Sequence, residues 1–327
     1  MTVVVPVFGC AGCLQALHRR LRATVAAVTD AFELVFVDDR SYDGAWATLV
    51  ELAHSDPSVR AFRLSRNFGQ DAAITAGLAK ARGGWVVVLD CDLQEAPEDI
   101  PRLYAQAQEG FDIVQTIRRD RRQSRLRHLA SRIYRKLVFE DERAGGLSTL
   151  SLISRPVVDA FMSLGDRDRE YRLALQWLGF SRTLVEIDFH ERLEGKSSYT
   201  IRHLISLAAT GVFFRTTRLL TWIVYGGFVI AFGGTALAIF MIIDHFAHFT
   251  EQLPGYTSLA VLMLLLFGCL MVTVGVVGMY VGRMFEQVKG RPLYIIDAEA
   301  SSEEEGPIRR ATTQSEGASP RAHTTTD

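Results

Sequence analysis

Two stretches free of Asp, Glu, Lys, Arg and His stand close together in the last third of the chain: 25 residues from Leu219 to Ile243 and 26 from Thr257 to Gly282. Crossing a hydrocarbon layer of about 30 Å takes ~20 helical residues, and inside it every backbone polar group must bond within the segment. One such run would suit a buried helix of a water-soluble core, but two neighbouring runs point to a helical hairpin in a bilayer. The connection Asp244 to Tyr256 has no Lys or Arg, whereas Arg215 and Arg218 precede the first run and Arg283, Lys289 and Arg291 follow the second. Positive residues stay inside. The expectation is a multi-pass protein of the cell membrane, with its large N-terminal part and both termini cytoplasmic. The opening of the chain, which runs from Met1 into Val3-Val4-Val5, gives no cleavable signal peptide to expect.

The remaining sequence divides around that hairpin. Residues 1–200 alternate strand and helix patterns and are expected to form a cytoplasmic α/β domain. Residues 201–217 place Ile201, Leu204, Ile205, Ala208 and Val212 at helical spacing beside Arg202, His203 and Arg215, which suits a helix lying in the interface. Residues 218–297 hold the two spans, about 219–243 and 257–282, and a juxtamembrane segment. Residues 298–327 are polar and without aromatics, so they are expected to be a disordered tail. A net charge of −1 gives no general attraction to nucleic acid.

Within the first domain the strand-like runs are Val3–Val7, Glu33–Val37, Val59–Leu64 and Trp85–Leu89, separated by helical patterns over Ala11–Thr29, Gly44–His54 and Asp71–Ala81. Such alternation predicts a mostly parallel sheet flanked by helices, with ligands at the carboxyl ends of the strands. Acids stand at two of those ends: Asp38 and Asp39 after Val37, and Asp90 and Asp92 after Leu89. A D-x-D pair that closes a buried strand can converge on one hard cation and leave positions for phosphate oxygens. Asp38 and Asp39 suit the hydroxyls and N–H groups of a nucleoside, or the caps of the following helix with Ser41 and Asp43. From Arg118 to Lys136 there are nine Lys or Arg and one acid, a cationic patch that beside a bilayer suits a lipid phosphate.

Four cysteines in 327 residues exclude a small disulfide-rich scaffold and suit a reducing compartment. Cys10-Ala11-Gly12-Cys13 has the spacing of a redox pair or half a zinc site, but no second ligand pair accompanies it. These are expected to be small loop and helix-start residues.

Taken together, VVVPVF, VDDRSYDGAW, LSRNFGQDAAITAGL, VVLDCDLQEAPEDIPRL, SRIYRKL, ERLEGKSSYTIRHL, two spans and VGRMFEQVKGRPLYII resemble the membrane-anchored polyprenyl-phosphate glycosyltransferases of glycosyltransferase family 2. The resemblance runs to about Ile296. It implies a GT-A nucleotide-diphospho-sugar transferase fold and transfer of a sugar, with inversion, from a nucleotide-sugar to a polyprenyl (undecaprenyl) phosphate. UDP-glucose is the donor expected first. It further implies that Pro6, Phe8, Asp38, Asp39, Asn67, Gln70 and Asp90 bind the nucleotide-sugar, and that Asp90, Asp92 and Gln94 hold Mg²⁺ or Mn²⁺. Arg118, Arg132, Lys136, Arg192 and Lys196 would hold the lipid phosphate. Asp90, Asp92, Arg118 and Arg132 are then the catalytic set, in a homo-oligomer that touches membrane lipids.

Three segments depart from the family's pattern. The first motif usually runs Val-Pro-Val-Tyr-Asn-Glu-Glu, and here it reads Pro6-Val7-Phe8-Gly9-Cys10-Ala11. A usual Gly-Asp-Phe-Arg-Leu is replaced by Ser148-Thr149-Leu150-Ser151-Leu152. A usual Glu-Arg-x-Arg-Phe is replaced by a segment from Asp166 to Arg172, in which Glu170 or Asp168 is the acid expected to compensate. The alternative reading they support is a nucleotide-sugar-binding membrane protein that recruits or regulates a partner without catalysis.

Overall fold

The computed structural model describes residues 1–118, 147–166, 169–188, 232–233 and 255–302. The chain divides into two compact units, the first made of 1–121, 146–196 and 292–327, the second of 122–145 and 197–291.

The first unit is built on one sheet. Its strands are β1 (Thr2–Val7), β2 (Glu33–Asp38), β3 (Val59–Leu64), β4 (Trp85–Val88), β5 (Ile113–Arg118), β6 (Leu147–Ser154), β7 (Arg182–Ile187) and β8 (Ile296–Ser301), in the order β7-β5-β6-β4-β1-β2-β3-β8. The four N-terminal strands run parallel, as their buried apolar runs require. β6 runs antiparallel to β4 and β5, and β8 antiparallel to β3. β7 runs parallel to β5, so six of these eight strands share one direction and the sheet is mostly parallel as expected, made mixed by β6 and β8.

Helices cover both faces: α1 (Ala11–Ala26), α2 (Ala45–Ser55), α3 (Gln70–Lys80), α4 (Ile100–Gln108), α5 (Arg155–Ser163) and α6 (Tyr171–Trp177). Successive side chains of a strand point to opposite faces. Val3, Val5 and Val7 of β1 accordingly meet Leu14, Leu17 and Leu21 of α1 in one buried layer, while Val4 lies with Ala73, Ile74 and Leu78 of α3 in the other. Gly77 makes the second contact possible, since a Cβ there would stand 2.3 Å from Val4 Cγ1. Below the first layer, His18 Nε2 lies 2.8 Å from Asp56 Oδ2 and ties α1 to the end of α2.

Residues 298–301, assigned on composition to a disordered tail, are the body of β8. Ala298 and Ala300 turn inward, and Asp297 accepts from Arg40 Nη1 at 2.8 Å and Arg63 Nη2 at 2.9 Å. Two alanines are too small to mark a strand by hydropathy, and the pairing partner lies more than two hundred residues upstream.

In the second unit, α7 (Gly255–Val288) is one continuous helix of 34 residues, about 51 Å long at the usual rise. It contains the run Thr257–Gly282. Among the described residues no helix is long and apolar enough to cross a membrane; several apolar side chains of α7 lie outside the description. The first run, apart from Phe232 and Gly233, also lies outside the described residues, as do the interfacial segment 201–217 and residues 303–327.

Candidate active site

The carboxyl ends of β1, β2 and β4 open into a cavity of about 360 Å³. From β1 come Pro6, Val7, Phe8, Gly9 and Cys10; from β2 comes Asp39; from the turn into α3 come Asn67, Gly69 and Gln70; and from the loop after β4 come Asp90, Cys91 and Asp92. Seven of the expected donor and metal residues therefore share one wall-to-wall space, reached from four separate segments of sequence.

The D-x-D loop is held from three sides. Gln70, first residue of α3, donates from Nε2 to Asp90 Oδ1 at 2.6 Å and to Thr149 Oγ1 at 3.4 Å. Asp92 Oδ1 accepts the N–H of Gln94 at 3.1 Å, which closes a tight turn. Leu93 sits at φ 59, where L side chains are strained, and is fixed there by burial in the core. Gln94 thus contributes its backbone N–H, and its side chain does not line the cavity.

Glu95 holds the third side and was not singled out by sequence. It is buried, with Oε1 accepting the Ser148 hydroxyl and the N–H groups of Thr149 and Leu150, each N–H at 3.0 Å. Its Oε2 accepts Asp90 N–H at 3.5 Å. The Ser148-Thr149-Leu150 departure is thus the partner of this carboxylate, which locks the D-x-D loop to β6. The one sequence signal for it is an acid three residues beyond the D-x-D pair, with its short polar partners Ser148 and Thr149 more than fifty positions away.

Burial, with Glu95 and then Asp92 nearby, pushes the Asp90 carboxyl up to about 7. Burial likewise pushes Glu95 above its ordinary range against the bonds from Ser148 and the β6 backbone. Three carboxylates at one loop disfavour one another's charge.

Asp39 is almost fully buried and grips the turn before α3: Oδ1 accepts Phe68 N–H at 2.7 Å and Oδ2 accepts Gly69 N–H at 2.8 Å. Gly69, at φ 98, lets the turn present both. Burial raises the Asp39 carboxyl in spite of these two bonds. Asp38 is placed elsewhere. It is fully buried outside the cavity lining, and its Oδ1 accepts Ser41 N–H at 2.9 Å, so the chain turns it inward as the end of β2. Asp43 is not the N-cap of α2, which is Gly44, but it ties two helix starts together, accepting Ala11 N–H at 2.8 Å at the start of α1 and Ala45 N–H at 3.3 Å in α2. Phe8 forms the outer lip, half-exposed and edge-on to Tyr42 with ring centres 5.8 Å apart.

Cys10 is not a plain loop residue, as had been expected. It is disulfide-bonded to Cys91, not to Cys13. Of the third departure, Glu170 Oε1 accepts Arg172 Nη2 at 3.0 Å, and Arg172 Nη1 also donates to Leu147 C=O at 3.1 Å. Asp168, Arg132, Lys136, Arg192 and Lys196 lie outside the described residues, and Arg118 is described only as the backbone end of β5, paired with Ile187. Among the described residues no three His, Cys, Asp or Glu gather into a metal-holding group.

Comparison with known proteins gives this geometry its relatives. The profile of "Glycosyl transferase family 2" matches residues 2–159. The chain is 32% identical over 300 residues to the uncharacterized glycosyltransferase YkcC of Bacillus subtilis, covering 90% of this chain and 92% of that protein. It is 33% identical over 306 residues to the undecaprenyl-phosphate 4-deoxy-4-formamido-L-arabinose transferase of Salmonella paratyphi A, with 90% and 92% covered. Among solved structures it is similar to mannosyl-3-phosphoglycerate synthase from Rubrobacter xylanophilus, at 19% identity and TM-score 0.47 over 67% of this chain and 73% of that one. On the sequence relationships, this α/β chain belongs to glycosyl transferase family 2 and is a glycosyltransferase of the GT-A type.

Proposed function

We propose that the enzyme moves a sugar, glucose from UDP-glucose in the first instance, to undecaprenyl phosphate at the cytoplasmic face of the cell membrane, with inversion and with Mg²⁺ or Mn²⁺ assisting. The observation that carries this reading is the convergence of Phe8, Asp39, Asn67, Gln70 and the D-x-D pair on one cavity at the strand ends. The name of the Salmonella relative supplies the acceptor class.

The donor set fits the ion. Asp90 and Asp92 offer the hard oxygen ligands that Mg²⁺ and Mn²⁺ take, and Asp90, with its carboxyl at about 7 beside two other acids, stands where a cation balances charge better than a proton. When bound there, such an ion neutralises charge on the departing diphosphate.

The chain's own residues do the rest. Pro6 and Phe8 give the base an apolar wall. Asp39, already fixed by Phe68 and Gly69 N–H groups, has lone pairs left for ribose hydroxyls. Gln70 keeps Asp90 turned toward the cavity. In the transfer one oxygen of the lipid phosphate forms a bond to the anomeric carbon, the bond from that carbon to the diphosphate breaks, and UDP leaves. The acceptor needs no general base, since a phosphate monoester with second pKa near ~6 is already ionised. Arg118, Arg132, Lys136, Arg192 and Lys196 are the residues we assign to hold it in line.

The membrane part of the reading is supported by α7, where several of the described apolar side chains are exposed: Met263 is 63% and Phe267 59% exposed, with Leu259, Leu270 and Val274 also exposed. Exposed apolar side chains along such a helix suit lipid. Gly278 and Gly282 leave open space on the same helix, which supports helix packing against the first span and within a homo-oligomer.

The test is transfer from radiolabelled nucleotide-sugars to undecaprenyl phosphate by purified protein in detergent, with Mg²⁺ or Mn²⁺ and again with chelator. Labelled lipid formed from UDP-glucose and lost with chelator is the expected result. No labelled lipid from any donor overturns the reading.

A further inference from the structure

Three of the four cysteines line the cavity: Cys10, Cys13 and Cys91. Cys10 closes the loop that follows β1 and carries Phe8 and Gly9. Cys91 stands between Asp90 and Asp92. Their sulfurs are bonded across 81 residues of sequence, with Cα atoms 6.5 Å apart, inside the range a disulfide spans without moving the backbone. Both residues are nearly buried, 7% and 8% exposed.

The bond therefore joins the two loops that the donor needs in fixed relation, the one with the aromatic lip and the one with the paired acids. The D-x-D loop is also tied to α3 through Gln70 and to β6 through Glu95, whereas the disulfide ties it covalently to the first loop. Cys13, one turn into α1, keeps its sulfur outside the disulfide. The pairing thus crosses between loops and does not follow the C-x-x-C spacing.

We propose that Cys10 and Cys91 are a redox-sensitive latch on the donor cavity, closed as the disulfide and opened by thiol reductants. Closing takes two thiols to one disulfide while a disulfide-form oxidant accepts the two electrons and two protons and leaves as two thiols. Opening is the reverse: a thiolate attacks one sulfur, a mixed disulfide forms, and a second thiol releases it. A latched pair of loops loses less freedom when the nucleotide docks, so the closed form binds more tightly. Immobilising a loop in this way changes affinity by about three- to tenfold. In a reducing compartment the poise of the thiol pool then sets how much enzyme is latched.

The affinity part rests on the donor-site reading above; the latch itself does not. The experiment uses full-length protein in detergent, equilibrated with oxidised or reduced glutathione. Alkylation and non-reducing peptide mapping are expected to find the Cys10–Cys91 cross-link in the first sample and not in the second. Amide hydrogen exchange at Gly9–Cys10 and Asp90–Gln94 is expected to be slower in the oxidised sample. UDP with Mn²⁺ is expected to bind it about three- to tenfold more tightly. Cys10→Ser and Cys91→Ser lose these responses, and Cys13→Ser keeps them. Exchange that is the same in both samples overturns the latch, even if the melting temperature differs, because a merely structural disulfide would do that. If the exchange responds and UDP binds neither form, the latch stands and the donor reading falls.

Discussion

Gln70 Nε2 donates to Asp90 Oδ1 at 2.6 Å, so the first residue of α3 sets the orientation of the first acid in the D-x-D loop. A hydrogen bond to an ionised group is worth about 1.5–3 kcal/mol, and Asp90 must be turned into the cavity to act. Gln70→Ala is expected to lower kcat/KM for sugar transfer by about tenfold or more, with Gln70→Glu worse because it adds a fourth acid. Steady-state kinetics checks it, and an unchanged kcat/KM in Gln70→Ala removes the orienting role.

The Asp90 carboxyl at about 7 makes the site pH-sensitive. A carboxyl raised in the fold above its unfolded value of about 4 contributes stability in full below that value and loses it as pH rises through about 7. The metal-free protein is therefore expected to melt at lower temperature near pH ~8 than near pH ~6, and Mn²⁺ to raise the melting temperature more at the higher pH, since the ion takes the proton's place. Scanning calorimetry with chelator and with Mn²⁺ settles the sign. An equal Mn²⁺ effect at both pH values counts against Asp90 as a ligand.

Glu95→Ala leaves the N–H groups of Thr149 and Leu150 and the Ser148 hydroxyl without their shared acceptor. Each buried donor so stranded costs about 1–3 kcal/mol. The expected result is a loss of several °C in melting temperature together with weaker metal binding, whereas Ser148→Ala loses less of both. Equal stability of Glu95→Ala and the parent would contradict the anchoring role.

Gly77→Ala brings a methyl against Val4 Cγ1 at 2.3 Å between α3 and β1. Overpacking of this kind costs about 1–3 kcal/mol. Pairing it with Val4→Ala is expected to recover part of that loss, which a denaturant titration of the double-mutant cycle measures. Additive losses would show that the two groups do not compete for space.

Much of this fold can be read directly from the chain. β3 falls on Val59–Leu64, the same bounds its apolar run gives, and β1, β2 and β4 agree within a residue or so, because strands buried on both faces announce themselves locally. The D-x-D pair and Asp39 could be gathered at strand ends on topology alone, whereas Phe8 and Gln70 came only with the family resemblance. What stayed hidden depends on contacts far apart in sequence. Glu95 meets Ser148–Leu150 across more than fifty residues, Cys10 meets Cys91 across 81, and β8 shows only two small inward alanines. Asp38 and Asp39 look alike in sequence, and only the strand's alternation sends one into the core and the other to the cavity.

β8 also fixes an order of events on the ribosome. β3 ends at Leu64 and its outer neighbour begins at Ile296, so that edge waits while some 230 further residues are made, the long helix α7 among them. At about 5–20 residues per second the wait lasts on the order of ten to fifty seconds. An unpaired edge strand invites other chains. During that interval Arg60 and Arg63, charged side chains within β3 itself, are what this edge carries against pairing with another chain.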